Sequence, residues 1–435
     1  MRSSSSSSKS LSGTVRAPGD KSISHRSMIF GAMAEGITHV TGLLEGADIL
    51  STASVMEALG ATVLKTGEGA YTVKGCGAAG LQTPKVDLDC GNAGTGVRLI
   101  MGACAGYSLK ATFSGDASLS SRPMNRILNP LRDMGVKATA QEGGRLPVTL
   151  ESDGNLMPAT YTPPIASAQV KSAVLLAAVN TEGVTTVTEP IPTRDHTENM
   201  LRAFGAKVDV TKRNGADVIK LEGPVTLKAA KINVPGDPSS AAFPIVAALI
   251  IPGSDIIVEN VMMNPTRTGL FDCLTEMGGH VQANNFRKSG GEVIADIHVK
   301  YSKLHGITVP PERAASMIDE YPVLAVAASV ATGTTIMDDI GELRVKESDR
   351  ITATAELLSK NGVKVEELEN GLKVTGGSVA GGGLVTTHHD HRIAMSALIL
   401  GCVASEPVSI DDASMIATSF PTFFGLMNGL GADMS

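Results

Sequence analysis

At 435 residues the chain is longer than one ordinary core supports, so two domains are expected, each large enough to bury a real interior. Hydrophobic residues make up 43% and charged residues 19%, a globular balance, but aromatics are only 3%, tryptophan is absent and the formal net charge is −7. That composition argues against single-strand nucleic-acid binding, which needs aromatic platforms in a basic groove, and against adhesion to an anionic membrane surface.

The chain opens with "MRSSSSSSKS", which is rich in serine and free of acids. Strand-like "LSGTVRA" follows at once, which leaves little room for a cleavable transit segment, so residues 1–10 are expected to be a short disordered tail. No uninterrupted apolar run is long enough to span a bilayer, and a cytosolic protein is expected. Cys76, Cys90, Cys104, Cys273 and Cys402 are odd in number, scattered and without a CxxC pair, which suits free thiols in a reducing compartment.

Next comes an internal repeat. A Leu- or Met-rich helix ending in glycine before a strand occurs as "VMEALGATV", "LRDMGVKAT", "LRAFGAKVDV", "LTEMGGHV", "LSKNGVKVE" and "LMNGLGADM". Gly60, Gly135, Gly205, Gly278, Gly362 and Gly431 are thus expected to be left-handed helix caps. Each unit holds a second helix, polar in its first turn and then almost wholly apolar, starting near Ser22, Ala93, Ser167, Ser239, Ser316 and His391. Such a helix is buried along its length and exposes its N-terminal end. Alternating segments such as "VTTVTEP" and "GLKVTG" read as strands. "VPGDPSSAAF" at 234–243 echoes "APGDKSISHR" at 17–26, so the pattern restarts there and a domain boundary falls near 231–236.

Helix N-termini carry unsatisfied N–H groups and partial positive charge, so several such ends converging on one cleft would bind anions. The residues beside them fit: Lys21, Ser22 and Arg26; Asn92, Gly94, Thr95 and Arg98; Ser167, Ala168, Gln169 and Lys171. In the second half Asp319, Glu320, Asp390, His391 and Arg392 take these places, and intervening loops add Arg122, Arg194 and "RVKESDR" with Lys346, Glu347 and Arg350. Arginine grips phosphate and carboxylate with two prongs and lysine offers a point charge, which suits a substrate carrying several such groups. A polar first turn is often only a cap, and a lone charged run only a solvated face; recurrence across the repeats separates the readings.

Other motifs fail on detail. "PGDKS" has Asp20 between glycine and lysine and is no Walker loop; "GCGAAG" at 75–80 is not followed by a helix; "THHDHR" places its side chains in different directions, against a zinc site.

Taken together, "PGDKSISHR", "GNAGTG", "SRPM", "SAQVKSA", "RVKESDR" and "DHRIAMS" resemble the 5-enolpyruvylshikimate-3-phosphate synthases, and "SAQ" with "ATSFP" resembles the class II branch. The resemblance covers nearly everything after the serine run. It implies an α/β (α+β) fold: a two-domain inside-out α/β barrel of six βαβαββ units, three per domain, with helices inside and sheets outside. The N-terminal domain would be 19–233 and the C-terminal domain 11–18 plus 234–435. It further implies transfer of the enolpyruvyl group of phosphoenolpyruvate to the 5-hydroxyl of shikimate 3-phosphate, without metal or other cofactor, by a monomer that takes glyphosate as a possible inhibitor.

Carried over by motif, Lys21, Ser22, Arg26, Ser167 and Ala168, with Gln169, Arg194, Asp319 and Lys346, would hold shikimate 3-phosphate. Lys21, Gly94, Arg122, Gln169, Arg350 and Arg392 would hold phosphoenolpyruvate. Asp319 is expected as base, Glu347 as proton shuttle, and Lys21 counts with them as catalytic. Many relatives have lysine where this chain has Thr418, and some tolerant ones have alanine where it has Gly94. The alternative is the UDP-N-acetylglucosamine enolpyruvyl transferase of the same fold, which typically carries a cysteine in the loop matching "SGDASLSSRPMNR"; this loop has none.

Overall fold

Gly60, Gly135, Gly205, Gly278, Gly362 and Gly431 all have φ between +79° and +115°, the left-handed region that glycine enters without steric cost. In the computed structural model, which describes residues 2–435, each follows a helix and precedes a strand. The six-fold periodicity of the sequence is therefore a periodicity of helix ends.

Among the described residues the strands form six sheets of four. The second shows the plan: Leu88–Asp89 runs parallel to Ser108–Ser114, which pairs antiparallel with Arg145–Asp153, and that strand pairs antiparallel with Lys137–Gln141. Its two long strands alternate buried and exposed residues, so this sheet has one face toward the core. Every sheet is open, with two edge strands, and the fold is mixed α/β.

The chain forms two units, Gly19–Val234 with Ser289–Gly291, and Pro235–Lys288 and Glu292–Ser435 with the segment ending at Pro18. Two strands are exchanged in order. Ser12–Arg16 precedes the first buried helix but pairs with Asp255–Met262, and Lys231–Asn233 precedes the fourth but pairs with Ile37–Thr41.

The first buried helices are Lys21–Met33, Gly94–Ala105 and Ala168–Ala178; the middle one packs against both others. Gly102 permits the closest approach, since a β-carbon there would run into the backbone of Ala173. In the other unit Pro238–Ile250, Tyr321–Ser329 and His391–Gly401 pack pairwise, and the first is buried at every position. Burying aliphatic side chains on this scale, at about 25 cal/mol per Å² of apolar surface, holds each unit together.

Two expectations need correction. The serine run is not a disordered tail: Ser3–Ser6 is a strand between Val408–Ile410 and Asp433–Met434, completing the sixth sheet. Composition misleads here because a central strand is held by its backbone ladder and needs little from its side chains. Ser5 is itself buried, beside Gly401, where any larger residue would collide with it. The fifth buried helix also does not run unbroken from Ser316. Ala314–Met317 is one short turn and the helix resumes at Tyr321–Ser329, with Pro322 in its first turn. Pro322 has no N–H to bond the Ile318 carbonyl four residues back, so the helical ladder breaks there and leaves Asp319 and Glu320 in the gap.

Candidate active site

In the Gly19–Val234 unit the first helix is capped by Asp20, whose carboxylate accepts the Ile23 N–H at 2.8 Å. Lys21 and Ser22 therefore sit in the first turn, and Lys21 forms an ion pair with the buried Asp48. Arg26, one turn on, is buried. Its Nε donates to Thr197 Oγ1 at 2.8 Å, one terminal nitrogen to Ser172 Oγ at 2.9 Å and the other to the Ser22 carbonyl at 3.1 Å.

The second and third helix starts are joined by side chains. Arg98 donates to Gln169 Oε1 at 2.8 Å, and Gln169 Nε2 donates to Thr95 Oγ1 at 2.9 Å. Arg122 donates to Asn92 Oδ1 and Ser118 Oγ, each at 3.0 Å. Gly94 starts its helix between these arginines: a β-carbon there would stand 2.9 Å from the Arg122 guanidinium and 3.6 Å from that of Arg98. The structure thus brings Gly94, Arg122 and Gln169 together. Ser167 caps the third helix with a long hydrogen bond, 3.4 Å from the Val170 N–H, and Ala168 follows as its first residue. Arg194 is half-buried in the turn between the strand Gly183–Glu189 and the helix His196–Ala203.

In the other unit Arg350 is the centre. Its guanidinium, 1% exposed, donates to Asp390 Oδ2 at 2.7 Å, to Asp319 Oδ1 at 3.0 Å and to Glu347 Oε2 at 2.6 Å. Burial works against its charge, but Asp390, Glu347 and Asp319 together more than reverse that and hold it firmly cationic. Asp390 also caps the sixth buried helix through the Arg392 N–H, and Arg392 donates to the Asp319 carbonyl at 3.1 Å. Lys346 lies near Glu342, 3.5 Å away. The Thr418 hydroxyl donates locally to the Met415 carbonyl.

Several participants were not foreseen. Lys171, grouped in the sequence with the cations at helix starts, points inward, where its Nζ meets Glu189 at 2.7 Å and Glu198 at 2.8 Å. Its place one turn into a helix that is apolar from Ala173 onward was the available signal. Asp48 and Asp390 are partners of the expected cations; Asp390 stands among the helix-start residues of the sequence, and Asp48, an acid in the first turn of Ala47–Ala58, offered the same local signal.

Repeated α/β units with cations and carboxylates set at buried helix starts define an enzyme that handles anionic substrates. A family model described as EPSP synthase (3-phosphoshikimate 1-carboxyvinyltransferase) matches residues 6–427. The chain is 59% identical over 426 residues to the 3-phosphoshikimate 1-carboxyvinyltransferase of Parvibaculum lavamentivorans, covering 97% of this chain and 94% of that one. It is 58% identical over 427 residues to the enzyme of the same name from Phenylobacterium zucineum, covering 98% and 94%. A solved EPSP synthase from Acinetobacter baumannii superimposes with a TM-score of 0.90 at 44% identity, covering 100% of this chain and 99% of that one. The chain belongs to the EPSP synthase family.

Proposed function

We propose that the protein transfers the enolpyruvyl group of phosphoenolpyruvate to the 5-hydroxyl of shikimate 3-phosphate and releases phosphate. Its two units would be the enolpyruvyl-transferase domains of an inside-out α/β architecture, with the buried helices innermost in each. The observation that carries the reading is Arg350, which holds Asp319 and Glu347 on one buried guanidinium. Enolpyruvyl transfer needs one group to take the hydroxyl proton and another to protonate the methylene carbon.

In this reading the 5-hydroxyl gives its proton to Asp319 as its oxygen bonds to C2 of phosphoenolpyruvate, while C3 takes a proton from Glu347. Return of a C3 proton to Glu347 and loss of phosphate from C2 then restore the double bond, and the proton held by Asp319 leaves with the phosphate. Lys21, Ser22 and Arg194 hold the acceptor, with Ser167, Ala168 and Lys346. Arg26 adds to that group from a largely internal position, and Lys21 and Gln169 serve both substrates. Gly94, Arg122, Arg350 and Arg392 hold phosphoenolpyruvate, where glyphosate would compete.

The test is phosphate release from phosphoenolpyruvate and shikimate 3-phosphate in the presence of EDTA. Asp319→Ala is expected to lose about 10²- to 10⁴-fold in kcat, the range for removing a positioned acid or base. Full activity of that variant removes Asp319 from the mechanism. UDP-N-acetylglucosamine is expected to give no turnover; preference for it over shikimate 3-phosphate would overturn the choice of acceptor.

A further inference from the structure

Lys171 is 1% exposed and so reaches no substrate, yet its ammonium is held by groups that bracket Arg194 in sequence. On one side is Glu189, whose Oε2 accepts from Lys171 at 2.7 Å. The same carboxylate accepts the Thr193 hydroxyl at 2.5 Å and the Thr193 N–H at 3.4 Å, and Lys171 adds a long contact, 3.5 Å, to the Thr193 carbonyl. On the other side is Glu198, in the first turn of His196–Ala203, 2.8 Å from the same ammonium. Neighbouring Thr197 accepts from Arg26 at 2.8 Å and donates to Ser172 Oγ at 2.7 Å. Both ends of the 190–198 segment are therefore tied to the helix that begins beside Ser167 and Gln169.

We propose that Lys171 is a positioning residue for the acceptor substrate: it clamps Glu189 and Glu198 so that the turn between them presents Arg194 in one fixed place. This rests on the functional reading above. The network encloses two cations, Lys171 and Arg26, and two carboxylates, so removing the lysine leaves acid groups buried without their counter-charge. A misplacement of about 1 Å in a substrate-holding group can cost about 100-fold, which makes the clamp visible in kinetics.

A merely structural lysine would disturb both substrates alike. Lys171→Met is instead expected to raise KM for shikimate 3-phosphate roughly tenfold while KM for phosphoenolpyruvate and kcat change less than about threefold. The deciding measurement is a double-mutant cycle with Arg194→Ala. If Lys171 acts through Arg194, Lys171→Met changes the acceptor KM less than about twofold in the Arg194→Ala background. Equal effects in both backgrounds, or equal rises in the two KM values, overturn the proposal. Should Lys171→Met fail to fold, Glu189→Gln, which keeps the shape and loses the charge, takes its place in the same cycle with a smaller shift expected. Absence of turnover by the parent protein would overturn the functional reading and this inference with it, a result distinct from an additive cycle in an active enzyme.

Discussion

Arg350 and Asp390 form a buried ion pair in which Nε lies 2.7 Å from Oδ2, the arginine 1% exposed and the aspartate 0%. Asp390 also accepts the Ser348 hydroxyl and caps the sixth buried helix, so it secures both the arginine and the helix start that carries Arg392. Breaking a buried pair from one side costs about 3–5 kcal/mol, toward the lower end here because Arg350 keeps Asp319 and Glu347. Asp390→Asn is therefore expected to lower stability by about that much, seen in calorimetry as a fall of several degrees in the melting temperature. Ser348→Ala, which removes one neutral hydrogen bond, is expected to cost about 1 kcal/mol. Equal shifts from the two variants would show that the ion pair does not carry the stability.

Gly94→Ala tests the approach of the second helix start to Arg122. Its backbone is helical, so alanine there does not strain the chain and is expected to leave stability unchanged or slightly raised, by no more than about 1 kcal/mol. The added methyl would stand 2.9 Å from the Arg122 guanidinium, which must move. KM for phosphoenolpyruvate is expected to rise roughly tenfold, with that for shikimate 3-phosphate little changed, since about 1.4 kcal/mol of lost binding is a factor of ten. An unchanged KM for phosphoenolpyruvate would place that substrate elsewhere.

Sequence alone was enough to locate the helix ends and not the partners, and the reason is physical. A left-handed glycine after a helix is a local requirement, so Gly60 and its five counterparts could be placed from a few neighbouring residues. Helix starts were legible for the same reason, to within a residue or two, except where Pro322 split one. The destination of a charged side chain is not local. Arg26 finds Thr197 and Ser172 from far along the chain, and Lys171 faces inward because two glutamates from other elements wait there. Likewise the strand Ser3–Ser6 depends on open backbone at the opposite end of the sequence, which no composition of that segment could announce.

Thiol chemistry offers a check on the core. Cys90, Cys104, Cys273 and Cys402 are buried and Cys76 is partly so. Burial pushes all five thiols up, Cys90 to about 12 and Cys402 to about 11. The thiolate is the reactive form, so at pH 8 a chromogenic disulfide reagent is expected to titrate one thiol slowly in the native protein and five after denaturation. Cys76→Ser is expected to abolish the native reaction; rapid labelling of two or more native thiols would contradict the packing described.

His25 should make stability depend on pH. It is wholly buried in the first helix, its Nδ1 2.8 Å from Thr52 Oγ1 and its Nε2 without a hydrogen-bond partner among the described residues. Burial first, then the nearby charge of Lys21 with a lesser share from Arg26, pushes its pKa down to about 3, against the opposing pull of Asp48 and Asp20. The unfolded chain takes up this proton near pH 6.5 and the folded chain does not, so the stabilisation is complete above that pH and is lost progressively toward pH 3. Each pH unit in that window is worth about 1.4 kcal/mol, or about 2 kcal/mol between pH 6.5 and pH 5. His25→Asn keeps a polar group facing Thr52 and cannot titrate. Urea unfolding at pH 7 and pH 5 is expected to show a drop in the parent that exceeds the drop in the variant by about 2 kcal/mol. Equal drops in parent and variant would mean that His25 titrates alike in the folded and unfolded chain and that its burial does not depress its pKa.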